Sequence, residues 1–337
     1  MIGQLSRAQR NLLISGGLMA GWVAGTLVPN TAGVKWLRDL VAANIGLFKE
    51  IRLEPRTHEL LQEVIADINA SRSTPVQSDK LDFRLTNRLY PNYNFKGCSK
   101  LTGAIIDLPI GMRQNARDVF YIHCMLEIKD HLIHTSLLER DEKKFLLAEA
   151  ILYTEDNYIL FRCLFGALLV ATVSGIVHYI GAFAAKQLAM FSDVGPLIFS
   201  PDAIRAGLFR KERWSIHLLR AVHYLSVMSV VCTGVCVYWL GRGMYATRQE
   251  EKVVEQVTRL GPAYVKGGAD YYNKRILTNK IRREVLNEML LFDRDGNYSP
   301  ERLGNRYFPK TLPLTVKWQM YLDKLKQLNA AEAKTWS

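Results

Sequence analysis

Several short stretches have residue types and spacings that could bind a metal ion. His131 and His134 stand three apart, a spacing that two ligands of a tetrahedral zinc site can use. No nearby cluster of Cys, His or carboxylate completes the set, which reads the pair as surface histidines. Cys232 and Cys236 stand four apart and so share a helix face. Two thiolates one turn apart suit a soft ion such as Cu(I), although cysteine in an apolar helix more commonly serves as a small packing residue. The stretch 293–300, DRDGNYSP, has the Asp and Gly spacing that opens a calcium loop. It lacks the closing Glu at the twelfth position and reads as a tight turn. His178 places an ionisable group inside an apolar run, where it is either functional or a neutral imidazole against a helix neighbour.

The elements that must position these residues begin with two apolar runs. Residues 163–185, CLFGALLVATVSGIVHYIGAFAA, lie between Arg162 and Lys186, and residues 221–241, AVHYLSVMSVVCTGVCVYWLG, between Arg220 and Arg242. Neither run contains Asp, Glu, Lys or Arg. Helices of about 20 residues match a hydrocarbon core of about 30 Å, so the two predict a transmembrane hairpin joined by a basic loop, 186–220. An earlier run, 11–28, predicts a first, uncleaved span ended by Pro29-Asn30. Gly17, Gly21 and Gly25 fall on one face of it, as Ala167, Ala171 and Gly175 do in the second span. Small residues at this interval let another membrane helix approach closely.

The basic segment 1–10 opens the chain. Residues 1–38 contain Arg7, Arg10, Lys35 and Arg38 and no carboxylate, a pattern resembling a mitochondrial targeting segment. With three spans, the amino terminus and the loop 186–220 share one side. Both are net basic, which places them on the matrix side and the regions 29–162 and 242–337 on the other.

Composition narrows the class. The 337 residues average a mean hydropathy of -0.02, far too polar for a many-helix transporter. A net charge of +12 suits an anionic lipid surface or acidic partners. No groove-reading motif accompanies the dispersed Lys and Arg, so no nucleic acid partner is expected. Five cysteines, three of them in or at the apolar runs, exclude a secreted disulfide framework. Cys98 and Cys124 are the remaining two, and the spacing gives their pairing little support.

Outside the spans, residues 56–70 carry Leu60, Leu61, Val64, Ile65 and Ile68 at helical spacing and predict an amphipathic helix. Residues 71–79 read as a polar turn and 90–100 as a loop, with short β-type runs at 104–110 and 119–128. Residues 139–158 predict a helix whose apolar face is Phe145, Leu146, Ala148, Ile151 and Leu152, running almost directly into the hairpin. Residues 248–260 read as a separate charged helix stopped by Gly261-Pro262, and a further helix follows through Leu291. The expected fold class is a mainly α multi-pass membrane protein with a mixed α/β soluble portion, 29–162, and a helical carboxy-terminal domain, 242–337.

The order of these elements resembles that of membrane-embedded zinc peptidases of the CAAX-processing type. Those place His-Glu-x-x-His on a helix before a membrane hairpin and Glu-x-x-x-Asp on a helix after it, the motif Glu serving as general base. At the corresponding places this chain has Glu149-Ala150-Ile151-Leu152-Tyr153 and Glu251-Lys252-Val253-Val254-Glu255. Glu149 and Tyr153 would replace both histidines and Ala150 the base, leaving Glu251 as the one surviving ligand. A single carboxylate cannot hold zinc, so the resemblance implies a degenerate peptidase architecture reused for binding, if Glu149, Tyr153 and Glu251 converge; chance likeness of amphipathic helices is the other reading.

Five blocks carry a second resemblance: LLQEVIADI (60–68), GAIIDLPIGM (103–112), KKFLLAEAILY (143–153), AYVKGGADYYNK (263–274) and DGNYSPERLGNRYFPKTLPLT (295–315). They are similar to the transmembrane protein 177 family of the mitochondrial inner membrane, with Gly267, Gly268, Tyr271 and Tyr272 in the most specific block; residues 90–100 and the tail from Lys317 depart from it. The resemblance implies a non-catalytic factor in cytochrome c oxidase biogenesis, without cofactor. It would stabilise newly made oxidase subunit 2 alongside that subunit's membrane chaperone and copper-delivery factors.

Overall fold

The computed structural model describes residues 7–27, 53–85, 93–100, 103–112, 135, 137–156, 158–193, 208–299 and 312–335. The β-type run 119–128, His131, His134 and Cys124 lie outside the described residues. The fold is mainly helical, with α1 (Arg7–Leu27), α2 (Pro55–Ala70), α3 (Arg140–Thr154), α4 (Tyr158–Asp193), α5 (Leu208–Thr258), α6 (Pro262–Val285) and α7 (Leu314–Thr335). Three short strands, β1 (Leu81–Leu85), β2 (Asn94–Cys98) and β3 (Gly103–Leu108), form one sheet in the order β1-β3-β2. The chain divides into two compact units, one of residues 1–26 and 161–241, the other of residues 27–160 and 242–337.

The first unit holds α1, α4 and most of α5. Among the described residues, two helices are long and apolar enough to cross a membrane, over Phe161–Ala184 and Ala221–Thr258. Only 11% and 6% of the two apolar windows are buried, and Leu164, Leu168, Tyr179, Tyr224 and Leu225 are among their exposed side chains. The small-residue faces predicted for helix packing are not where this chain's helices meet. Gly17, Gly21, Gly25 and Gly175 have open space around them, and Ala171 is exposed while Ala167 is half-buried. Large residues seat instead on other glycines: Trp22 fills the place a Cβ would take at Gly166, Val173 lies 2.6 Å from one built at Gly234, and Phe165 lies 2.7 Å from one built at Gly241. Trp22 also donates its indole N–H to the Arg162 carbonyl at 3.4 Å and meets Tyr238 edge-on at 5.1 Å. Small stripes permit close approach; the bulky partner decides which glycine is used.

The second unit is organised around α3. Glu139 and Glu142 close a reciprocal capping box at its start, which satisfies two of the amides that helix entry leaves unpaired. An apolar stripe was expected on one face. Instead every residue from Glu142 to Thr154 except Lys144 is buried, because α2, α6, β2 and β3 all pack against it. Helix α2 supplies the expected face of Leu60, Leu61, Val64, Ile65 and Ile68. In β3, Ala104, Ile106 and Leu108 alternate into the core, as a half-buried strand requires. The helix ends at Thr154 rather than at residue 158, and its last carbonyls are met from the sheet, where the Ser99 amide donates to the Thr154 oxygen at 2.9 Å.

Two further expectations are corrected. The region 90–100 contains β2, antiparallel to β3, with Gly97 at φ +97° placed against the backbone of Gly103. Its Asn, Gly and aromatic content disguised a strand whose bend requires glycine. Residues 248–258 are not a separate helix, since α5 runs uninterrupted for 51 residues from Leu208. The polar switch near Arg242 marks a change of environment, and the helix continues through Gly241 and Gly243 on either side of it.

The Gly267-Gly268 pair sets how closely α6 lies on α3. A Cβ at Gly267 would overlap the Asp141 carbonyl oxygen and come within 3.1 Å of the Glu142 nitrogen. One at Gly268 would sit 2.8 Å from the Phe145 ring and 2.9 Å from the Tyr321 ring. Alanine is the better helix former by about 1 kcal/mol, yet overpacking costs about 1–3 kcal/mol. Gly267→Ala, which meets rigid backbone, should lower the unfolding midpoint more than Gly268→Ala, which meets ring edges; thermal unfolding followed by circular dichroism checks the order.

Candidate functional site

Polar and aromatic side chains gather inside the second unit, around the middle of α3. Glu149 is 1% exposed and accepts a hydrogen bond at Oε1 from the Tyr272 hydroxyl. Tyr153, one turn on, is buried, and its hydroxyl lies 3.4 Å from the Lys317 ammonium. Lys317 in turn pairs with Glu250 at 3.0 Å, both side chains less than a tenth exposed. Glu250 also accepts the Leu312 amide at 2.5 Å. Tyr272 stacks on Tyr321 at 5.8 Å, Phe145 meets Tyr321 edge-on at 5.1 Å, and Phe95 stacks on Tyr153 at 5.6 Å. The Arg275 guanidinium lies over the Tyr271 and Tyr272 rings at 5.6 and 5.8 Å.

The tripartite degenerate site is not assembled. Glu149 and Tyr153 are together, but Glu251 is exposed and its neighbour Glu250 is the buried carboxylate. Successive helical residues point about 100° apart. The inward face of α5 here is Glu250, Val253, Val254 and Val257, at helical intervals of three, four and seven. That periodicity was the available signal for Glu250, and Leu314, Lys317 and Tyr321 repeat the same pattern in α7. Tyr93, which interacts electrostatically with Glu149, follows no such pattern.

Burial sets the protonation chemistry. Burial first, and then the Glu149 carboxylate, push the Tyr272 and Tyr321 hydroxyls well above the ordinary tyrosine value, so both remain O–H groups. Tyr153 is displaced upward for the same reasons. Burial also raises the carboxyls of Glu250 and Glu142, against the pull of Lys317 and Lys274. Glu142 accepts from Lys274 at 2.7 Å and from the Glu139 amide at 2.6 Å. These groups hold α5, α6 and α7 to α3.

A catalytic zinc would not fit here. Glu149 Oε1 is occupied by Tyr272, Glu250 by Lys317 and the Leu312 amide, and among the described residues no imidazole or thiol joins them. Among the described residues no group of three or more His, Cys, Asp or Glu could hold a metal ion. Cys232 and Cys236 are exposed and unpaired with each other, and Cys98 is buried and free. In the 293–299 turn, Asp293 is engaged by Asn297, whose amide donates to Oδ1 at 2.8 Å, and Gly296 takes φ +84°, so it closes as a tight turn. The motif residues Gly267, Gly268, Tyr271 and Tyr272 are all buried and serve the α3–α6 contact. No family model, curated protein or solved structure matches this chain.

Two outcomes test the polar interior. Lys317→Met leaves Glu250 buried without its cation and should cost about 3–5 kcal/mol; adding Glu250→Gln should recover part of the loss, measured as urea unfolding in detergent. Because the folded state holds the Glu142 and Glu250 protons more tightly than the unfolded chain, their contribution is full below about pH 4.3. It is lost as pH rises through the raised values. The difference in melting midpoint between wild type and Glu142→Gln should therefore change with pH above that point, and a pH-independent difference would contradict the raised value.

Proposed function

We propose that this chain is a non-catalytic assembly and stability factor of the mitochondrial inner membrane, where it is a multi-pass protein. It acts in cytochrome c oxidase biogenesis by binding newly made subunit 2, together with that subunit's membrane chaperone and copper-delivery factors. The observation that carries a binding role is the outward face of the two membrane-length helices. Their apolar side chains are exposed, and the Ala171 and Gly175 positions lie open to a partner helix. Lipid covers such a surface by default, and a client span competes for it through small residues. The Gly17, Gly21 and Gly25 face of α1 offers a second open strip. In the interior, Glu142, Glu149 and Glu250 each bond to a group on another helix, which is a structural use of these carboxylates. The client and compartment rest on the resemblance of the five sequence blocks and on the acid-free amino terminus.

The test is a pull-down of newly synthesised mitochondrial translation products with the tagged full-length chain. Subunit 2 should be enriched, and Ala171→Leu with Gly175→Leu should reduce its recovery at least several-fold while leaving the protein in the membrane. Absence of subunit 2 from the wild-type eluate overturns the client assignment. The rival is a membrane metallopeptidase-like enzyme with an unrecognised site. It would be favoured by stoichiometric zinc in the purified protein, abolished by Glu251→Ala.

A further inference from the structure

Helix α5 carries a line of sulfur on the side that its own chain leaves bare. Its packing face is marked by Gly234 and Gly241, where Val173 and Phe165 of α4 take the space a Cβ would need, and by Tyr238, which meets Trp22 of α1. Successive helical residues turn by about 100°, so Cys232 and Cys236, two positions before and two after Gly234, both stand about 160° from it. Both cysteines are exposed and free. Met228, one turn before Cys232, is 60% exposed and continues the same line about 40° further round.

Cysteine in an apolar helix ordinarily serves as a small packing residue. Among the described residues that use is not made of these two, since α1 and α4 meet the opposite face of α5. What remains is their chemistry. Side chains one helical turn apart have Cβ atoms about 5–6 Å apart, within reach of one ion held between two sulfurs. Thiolate and thioether are soft donors that select Cu(I), whereas structural zinc asks for a full tetrahedral set. Among the described residues no group of three or more His, Cys, Asp or Glu could supply that set, and Cu(I) is satisfied by fewer donors. Charge points the same way. The run 221–241 has no Asp, Glu, Lys or Arg, and net charge within a bilayer is costly. Cu(I) held by one thiolate, one thiol and one thioether carries none.

We propose that Met228, Cys232 and Cys236 form a Cu(I) site on the outward face of α5. On binding, one cysteine S–H bond gives way to an S–Cu bond and its proton leaves for the solvent. The second cysteine and Met228 complete the sulfur shell with lone pairs, and no electron is transferred. The site stands on the placement of these three residues and does not depend on the client assignment; a failed subunit 2 pull-down leaves it untouched.

The test titrates the reduced full-length protein, in nonionic detergent without oxygen, with Cu(I) supplied as its bicinchoninate complex. The colour of the chelator reports the ion it gives up, and ultraviolet thiolate-to-copper absorption reports where the ion goes. Cys232→Ser with Cys236→Ser should bind one equivalent fewer than wild type, and Cys232→Ala with Cys236→Ala should lose the same equivalent. Either single serine variant should weaken that equivalent by at least about tenfold, because two ligands on one helical turn act as a chelate; Met228→Leu should weaken it several-fold. All three side chains face away from α1 and α4, so each variant should keep the wild-type circular dichroism spectrum. Equal Cu(I) uptake by wild type and the double variants, or displacement of the bound ion by equimolar Zn(II), overturns the proposal.

Discussion

A helix with no solvent-facing side is the constraint on which the second unit depends. An ordinary surface helix hides one stripe and wets the other, but α3 is enclosed from Glu142 to Thr154 with one exception. Its charged residues then cannot be solvated, and they depend on partners from the elements packed around them. Glu142 is met by Lys274 of α6, Glu149 by Tyr272 of α6, and the end of the helix by Ser99 beyond β2. Glu155, just past it, takes both guanidinium nitrogens of Arg72, one at 2.7 Å. The surrounding elements are placed by those answers as much as by apolar burial. Removing one partner of such a buried pair is more damaging than never having had the pair.

The aromatic residues extend the same logic. Tyr271, Tyr272, Phe145 and Tyr321 form a continuous set of edge-on and stacked contacts, which is possible only because Gly267 and Gly268 bring α6 within reach of α3. The Gly-Gly-x-x-Tyr-Tyr motif is spent on the interior. Among the described residues, the outward faces of α1, α4 and α5 stay open.

Much of this was legible where periodicity was strong. The five aliphatic residues of α2 stood at helical spacing and all are buried, and the two uncharged runs lie within the two helices long enough to span a bilayer. Where several side chains of different chemistry cooperate, the sequence was less informative. A Glu-Glu pair at 250 and 251 offers two registers about 100° apart, and only the valines that follow distinguish them. Strand β2 was hidden because its chemistry is that of a bend. The full burial of α3 could not be read from its own residues, since Glu, Lys and Asp in its first turns describe an exposed helix until their partners from α2 and α6 are known.

The second unit is made of two separated stretches, 27–160 and 242–337, with the membrane-length helices of the first unit encoded between them. Helix α3 is synthesised early, yet Glu250, Tyr272, Lys317 and Tyr321 all come from the later stretch. Its enclosure therefore waits on contacts of very high sequence separation, a slow class of event. The second unit can close only once both stretches exist, and α7 reaches α3 through Lys317 and Tyr153 across a sequence separation of 164 residues.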